Sequence, residues 1–293
     1  MKIEDFLVQG GRRARPVPDR EIMEFIDKTV SAKFLYDEEV VPKFVEAYFS
    51  WIQSSKLNRL KNLDKFNVVD YVHGTSQAFD FFYMKHKDRR FRCMQGDFAY
   101  HRVSWKNYFD WAYIEADALR PNDAFIISLP FSDLGAQHPK MNEILDRCDE
   151  LEIPVFIDAA YHCIARGLDF DLDRPCIEAV AFSMSKGFYG VERLRVGIRC
   201  RRENIDDGIV IMNGFHMVSK IGAGVGLEIC KNFEYDYNHN KFRKKQLEIC
   251  SELDIQLEWR SLHNAGHHAM TMIAGLRWAK IRAGDVPVCS GPW

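Results

Sequence analysis

Apolar and polar positions follow two rhythms along this chain. From Asp19 to about Leu60, apolar residues recur at helical spacing, Ile22, Phe25 and Ile26 and then Val41, Phe44, Val45 and Phe49, with charges between them. That period predicts two helices. Through the middle, short apolar runs take turns with amphipathic stretches. VVDYVHG closes at a glycine before the helix-like SQAFDFFYMKH, AFIISLP precedes PKMNEILDRCDELE, and IPVFIDAA, AVAFSM and VGIRC follow. Strand and helix alternating at this pace predict a mostly parallel sheet with helices on its faces. Ligands of such sheets bind beyond the carboxyl ends of the strands. From about Gly214 the pattern is helical through NKFRKKQLEICSELDIQLEWRSL, and from His263 onward it gives no strand alternation. At most a small terminal domain is expected there.

Composition narrows the class. The chain has 293 residues, 47% hydrophobic and 28% charged, which are globular proportions with enough chain for one large α/β unit and an appendage. Lys and Arg number 40 against 42 Asp and Glu, a formal charge of −2 without a long run of one sign, so nucleic acid is not an expected partner. The eight cysteines stand singly, without Cys-x-x-Cys spacing, and read as reduced thiols. No apolar signal region opens the chain, and no stretch reaches the length needed to cross a bilayer. A soluble cytoplasmic protein without a membrane partner is the expectation.

Four segments that follow apolar runs carry the chemistry. His73-Gly74-Thr75-Ser76-Gln77-Ala78 opens a helix, where backbone N–H groups and two hydroxyls suit a phosphate at the positive end of the dipole; an ordinary N-cap reads the same way. Asp158-Ala-Ala-Tyr161 ends a hydrophobic strand in an acid able to hold a pyridinium N–H, with a phenol three residues on for a ring hydroxyl, although a capping aspartate has this form too. Ser183-Met-Ser185-Lys186-Gly187 places a lysine directly after a strand, where a poorly solvated amine forms an imine; many such lysines are merely solvated. Glu192-Arg193-Leu194-Arg195-Val196-Gly197 brings an arginine that can clamp a phosphate, or form a surface ion pair with Glu192.

In order and spacing these segments resemble the sites of the fold-type I pyridoxal-phosphate enzymes, the aspartate aminotransferase superfamily. That family's G-(S/T)-x-x-A, aromatic, N-P-x-G, D-x-x-Y, S-x-S-K and R-x-G look like Gly74 to Ala78, Phe98 or Tyr100, Ser132-Asp133-Leu134-Gly135, Asp158 to Tyr161, Ser183 to Lys186 and Arg195 to Gly197. The likeness spans roughly residues 10 to 255. It implies a three-layer α/β/α fold with a seven-stranded, mostly parallel sheet. It also implies pyridoxal 5′-phosphate as cofactor, with Lys186 forming a Schiff base, the internal aldimine. Asp158 would face the pyridine nitrogen and Tyr161 the phenolic oxygen. Gly74, Thr75, Ser76, Ser183 and Arg195 would bind phosphate, and Phe98, or else Tyr100, would stack on the ring. Tyr36 falls where a family tyrosine reaches across a homodimer to the partner's phosphate.

The departures are specific. Ser132 stands where the family has the asparagine that helps hold the ring hydroxyl, and the phosphate arginine lies nine residues after Lys186, one more than usual, which makes Arg193 a rival to Arg195. The family's carboxylate-gripping R-(I/L)-x-x-(A/G) motif is missing, and Arg277 in AGLRWAK is only a helix-like candidate for its role. The expected organisation is an amino-terminal arm and helical segment over 1–50, a large cofactor-binding α/β domain over 51–230, and a reduced helical domain over 231–293. The expected function is amino transfer from an amino acid or other primary amine, with Lys186 as the base or acid that moves the proton. Lyase, decarboxylase, racemase or aldolase chemistry on the same cofactor, and a non-catalytic relative of the fold, are the alternatives.

Three further features carry less. Gly222-Ala-Gly224-Val-Gly226 lacks the preceding strand and ribose-binding acid of a dinucleotide loop and reads as a glycine-rich loop beginning a helix. His263, His267 and His268 lack the partners of a metal site. Arg12, Arg13 and Arg15 beside Gly10-Gly11 read as a solvated arm, or as a loop that pairs with an anionic substrate.

Overall fold

The computed structural model describes residues 19–252 apart from 99, 104–108 and 133. Arg12, Arg13, Arg15, His263, His267, His268 and Arg277 lie outside the described residues. The amino-terminal period resolves into helix α1 (Arg20–Thr29), capped by the Asp19 carboxylate on Glu21 N–H at 3.0 Å, a 3-10 turn (Ala32–Tyr36), and α2 (Val40–Gln53). The chain then runs β1 (Arg59–Lys61), β2 (Val68–Val72), α3 (Thr75–Lys85), β3 (Arg90–Cys93), α4 (Tyr100–Val103), β4 (Trp111–Tyr113), β5 (Asp123–Ser128), α5 (Met141–Glu150) and β6 (Val155–Ala159). It continues through β7 (Asp169–Asp171), β8 (Ile177–Ser183), α6 (Val191–Leu194), β9 (Gly197–Arg201), α7 (Gly208–Gly214), α8 (Lys220–Asn232) and α9 (Tyr237–Glu252).

Seven strands form one sheet in the order β2-β9-β8-β6-β5-β3-β4, and β1 pairs with β7 in a separate two-stranded ribbon. Only β9 runs against its neighbours, antiparallel to β2 and to β8. All other strands of the large sheet therefore end at one edge, and β9 begins there, with Gly197 opposite both Val72 and Ser183. This single reversal brings the residues just before β9 to the edge where the parallel strands end.

The sheet is buried on both faces. Phe79, Phe82, Phe91 and Phe156 belong to one apolar cluster, and Phe44, Tyr48, Ile157, Val180 and Ile198 to a second, larger one. Three layers follow, because strands covered on both sides need apolar residues throughout. The glycine run at 222–226 is not a loop. It lies inside α8, where a Cβ on Gly224 would come within 2.4 Å of the Phe34 ring and one on Gly226 within 2.5 Å of Phe44. Close approach of α8 to α2 outweighs the cost of about 0.5–1 kcal/mol that each glycine carries in a helix.

Candidate active site

The strand ends supply the chemistry. Asp158 is the penultimate residue of β6, between Ser128 of β5 and Ala181 of β8 in the ladder, and is only 4% exposed. Burial pushes its carboxyl up to about 7, against the opposing hydrogen bond from the Thr75 side chain; the nearby Asp97 adds to the rise, and Ala160 N–H and Lys186 oppose it. The Ala160 N–H donates to Oδ1 at 3.1 Å. Among the described residues no arginine lies against it, and an acid so poorly solvated is a common mark of a functional carboxyl.

Lys186 follows β8 at the end of a single 3-10 turn (Met184–Lys186), half-buried, with Nζ 5.2 Å from the centre of the Tyr161 ring. Lys186 and Asp158 thus leave adjacent strands at the same edge. The turn is fixed by Ser183, whose Oγ accepts from Ser185 N–H at 3.2 Å and donates to the Val196 carbonyl at 3.2 Å. Ser183 is 1% exposed, so its hydroxyl serves this turn.

Arg195 ends α6 in a left-handed conformation, φ +56°, two residues before β9. Its Nη2 lies 3.2 Å from Ser76 Oγ at the amino end of α3. Gly74, the N-cap, has φ +77°, and a Cβ there would stand 2.6 Å from Arg195 Nη2. The missing side chain is what lets the guanidinium lie across the helix terminus. Among the described residues no carboxylate forms an ion pair with Arg195, so a cation without a counter-charge meets the N–H groups of a helix start, an arrangement able to accept an anion. Arg193 is exposed to solvent and Arg195 half-buried; the three atoms nearest a Cβ on Gly74 all belong to Arg195.

Aromatic and polar side chains lie between them. Tyr100 donates its hydroxyl to Asp80 of α3 at 3.1 Å, while Phe98, 38% exposed, lies parallel to the Tyr100 ring at 6.0 Å and edge-on to His101. Thr75 is buried and directed at Asp158. Ser132 donates to Asp97 Oδ1 at 2.9 Å. Tyr36 faces solvent at 83% exposure and joins none of this within one chain.

Sequence reasoning missed Asp97, His101 and Ser128. Asp97 accepts from Ser128 N–H at 3.0 Å and from Ser128 Oγ at 2.5 Å. His101 is fully buried, with Nε2 3.9 Å from Asp158 Oδ2 and Nδ1 2.7 Å from Tyr83 Oη; burial drives its imidazole down to about 4. The signal was present, an acid and a histidine flanking the two aromatics of GDFAYH, after a strand too short for its alternation to register.

Among the described residues no group of three or more His, Cys, Asp or Glu is arranged to hold a metal. The donor set suits a phosphorylated aromatic aldehyde instead. It offers an anion cradle opened by Gly74, a buried acid for a ring nitrogen, a phenol, and an amine on the adjacent strand.

Comparison with known proteins agrees. No curated protein matches the chain. Among solved structures, aspartate aminotransferase from Thermus thermophilus with maleate superposes with a TM-score of 0.58 at 15% identity, covering 86% of this chain and 77% of that one. A pyridoxal-phosphate-bound C-S lyase from Staphylococcus hominis gives 0.58 at 12%, covering 84% and 70%. Histidinol-phosphate aminotransferase from Clostridium acetobutylicum gives 0.52 at 12%, covering 82% and 75%. At such identities the likeness establishes the fold, fold type I. The sequence model of the Aminotransferase class I and II family matches residues 88–277, more than half of the chain. The chain therefore belongs to the class I and II aminotransferase family, transferases that use pyridoxal 5′-phosphate.

Proposed function

We propose that the protein is an aminotransferase acting on an amino acid or another primary amine, with Lys186 as the residue that carries the cofactor and moves the proton. One observation carries this reading: Lys186, Asp158 and Arg195, from three separate segments, end at one edge of the sheet around a single anion cradle. When bound, pyridoxal phosphate supplies an aldehyde for amines and a ring that withdraws electrons from Cα. The N–H groups of Gly74 to Ser76 and the Arg195 guanidinium hold the phosphate. Asp158 faces the ring nitrogen and keeps its proton in place, Tyr161 meets the ring oxygen, and Phe98 covers one ring face. Lys186, once free of the cofactor, stands within reach of Cα as general base and acid.

A homodimer belongs to the same reading. Tyr36, Phe215 and Met217 are 83%, 74% and 65% exposed, and their segments are tied by Glu38, which pairs with His216 at 3.4 Å and Lys220 at 2.9 Å. An apolar patch of that kind marks an association surface, and it would carry Tyr36 toward a partner's phosphate. Among the described residues no cysteine is held in a disulfide, in keeping with a reducing cytoplasm.

The test is reduction by borohydride. The purified protein should be yellow with pyridoxal phosphate, and borohydride should fix the cofactor to a peptide containing Lys186. Ketoacid should form from an amino acid only when a 2-oxo acid acceptor is added. Lys186→Ala should hold cofactor without fixation and lose turnover. Product release without any acceptor would replace transfer by lyase chemistry, and a colourless protein that takes up no cofactor would reject both.

A further inference from the structure

We propose that Asp97 is a positioning residue of the cofactor site: it draws the Ser132 hydroxyl away from the ring-oxygen side and, as a second carboxylate, sets the charge that Asp158 presents to the ring nitrogen. The inference rests on the cofactor reading above.

Asp97 lies just past β3 and is held by four donors: Phe98 N–H at 2.7 Å, Ser128 N–H at 3.0 Å, Ser128 Oγ at 2.5 Å and Ser132 Oγ at 2.9 Å. All four are uncharged, and among the described residues no cation forms an ion pair with Asp97, so hydrogen bonds surround the carboxylate without cancelling its charge. Ser128 is the residue opposite Asp158 in the β5–β6 ladder. The clamp therefore fixes a carboxylate on the strand beside Asp158. Ser132 replaces an asparagine that elsewhere in the family serves the ring, and its hydroxyl is spent on this clamp instead.

The titratable groups around Asp158 come from several elements. Lys186 follows β8, His101 stands on α4, Tyr83 on α3, and Asp97 in the loop after β3. Burial keeps His101 neutral near pH 7, and it holds the Tyr83 phenol in its protonated form. Asp97 is thus the neighbour that adds negative charge, and two carboxyls close together favour a proton on one of them. The buried member, Asp158, is the one that keeps it. A ring nitrogen brought against Asp158 meets an acid whose hold on a shared proton is strengthened from behind.

The experiment is a carbon-13 NMR titration of the full-length protein freed of cofactor and labelled in its aspartates, with the Asp158 carboxyl identified by its loss in Asp158→Asn. The wild-type midpoint is expected near 7. In Asp97→Asn, or in Asp97→Ser if the amide does not fold, the midpoint should fall by about half a pH unit or more. In Asp97→Glu, which keeps the charge, it should return toward the wild-type value. Affinity for pyridoxal phosphate at pH 8, read by fluorescence, should fall about threefold in the uncharged variant, the same half unit expressed as binding. An unmoved midpoint, or an equal shift in the charged and uncharged variants, would leave Asp97 a loop clamp and overturn the proposal. The titration needs no cofactor. A protein that shows the shift but never binds pyridoxal phosphate would reject the enzyme reading, while one that binds normally with an unmoved midpoint would reject only this inference.

Discussion

Buried charge is handled in opposite ways in the body of the sheet and at the edge where its parallel strands end. Within β3, beside the start of β5, Arg92 is 0% exposed and fully occupied. It donates to Asp123 at 2.6 Å, to Asp117 at 2.8 Å and to the carbonyls of Ala112, Tyr113, Asp117 and Ala118. Between β2 and β9 the same holds: Asp70 accepts from both Arg199 and Arg201, and Arg199 also pairs with Asp207. Where the strands end, Asp158 has no arginine partner among the described residues, sits near Asp97, and is pushed up to about 7. The first kind of cluster is electrically complete and stabilises a fold. The second is complete only when something else brings a cation and an anion to it, and that incompleteness marks a binding site more reliably than the residue types alone.

The largest effect expected from this contrast is on stability. Arg92→Ala removes the fully buried cation shared by Asp117, Asp123 and four carbonyls; Arg90 and Arg120 still donate to both carboxylates, and breaking a buried pair from one side costs about 3–5 kcal/mol. Urea unfolding should show that loss as a lower midpoint, with the Asp158 titration unmoved. A variant that unfolds at the wild-type midpoint would mean the Arg92 cluster contributes little and that the two kinds of cluster differ only in appearance.

How much of this was legible beforehand depended on length and on period. β2, β5, β6, β8 and β9 announce themselves because each is a run of at least five residues. β1, β4 and β7 have three residues each and β3 has four, too few for an alternation to stand out. Gly74, Asp158, Lys186 and Arg195 were readable because each sits beside one of the longer strands or at a helix start. Asp97 escaped because it follows the four-residue β3, and its partners are 31 and 35 positions away. The α8 glycines misled for another reason, since helix propensity describes an isolated helix and these residues are placed for contact with Phe34 and Phe44.

Next in size is the separation of activity from stability at Asp158. Asp158→Asn should lower turnover by about 10²–10³-fold, the usual loss when one positioned electrostatic partner is removed. Without cofactor the same variant should gain stability over the wild type as pH rises. The folded Asp158 value, near 7, lies above the ordinary carboxylate value. Its stabilising contribution is complete below that ordinary value and is lost as pH climbs through 7. Melting temperatures of both proteins between pH 5 and 8 should therefore diverge, by an amount equivalent to roughly 2–3 kcal/mol. His101 and His162, pushed down by burial to about 4 and about 3, titrate in the opposite sense, but both proteins carry them, so the difference reports on Asp158. Parallel curves would show that Asp158 is ionised throughout and that the strand-end acid is ordinary.

The smallest effect separates a ligand cradle from a turn. Gly74 has φ +77° and ψ 168°, a region that side chains other than glycine occupy at a cost of about 1–3 kcal/mol. Gly167, at φ +75° in the loop before β7, shares the left-handed φ but is placed far along the chain from Arg195. Alanine at either position should lower stability by a similar small amount. Only at Gly74 would the new Cβ fall 2.6 Å from Arg195 Nη2, and a guanidinium is the movable end of a long side chain, so it swings aside and the fold survives. The displaced cation no longer lies across the helix start, and affinity for inorganic phosphate and for pyridoxal phosphate should both drop about tenfold, the equivalent of one lost charge-assisted hydrogen bond. Gly167→Ala should leave both affinities alone. Equal losses in the two variants would assign Gly74 to the turn only, and the phosphate would then have to be held elsewhere along the sheet edge.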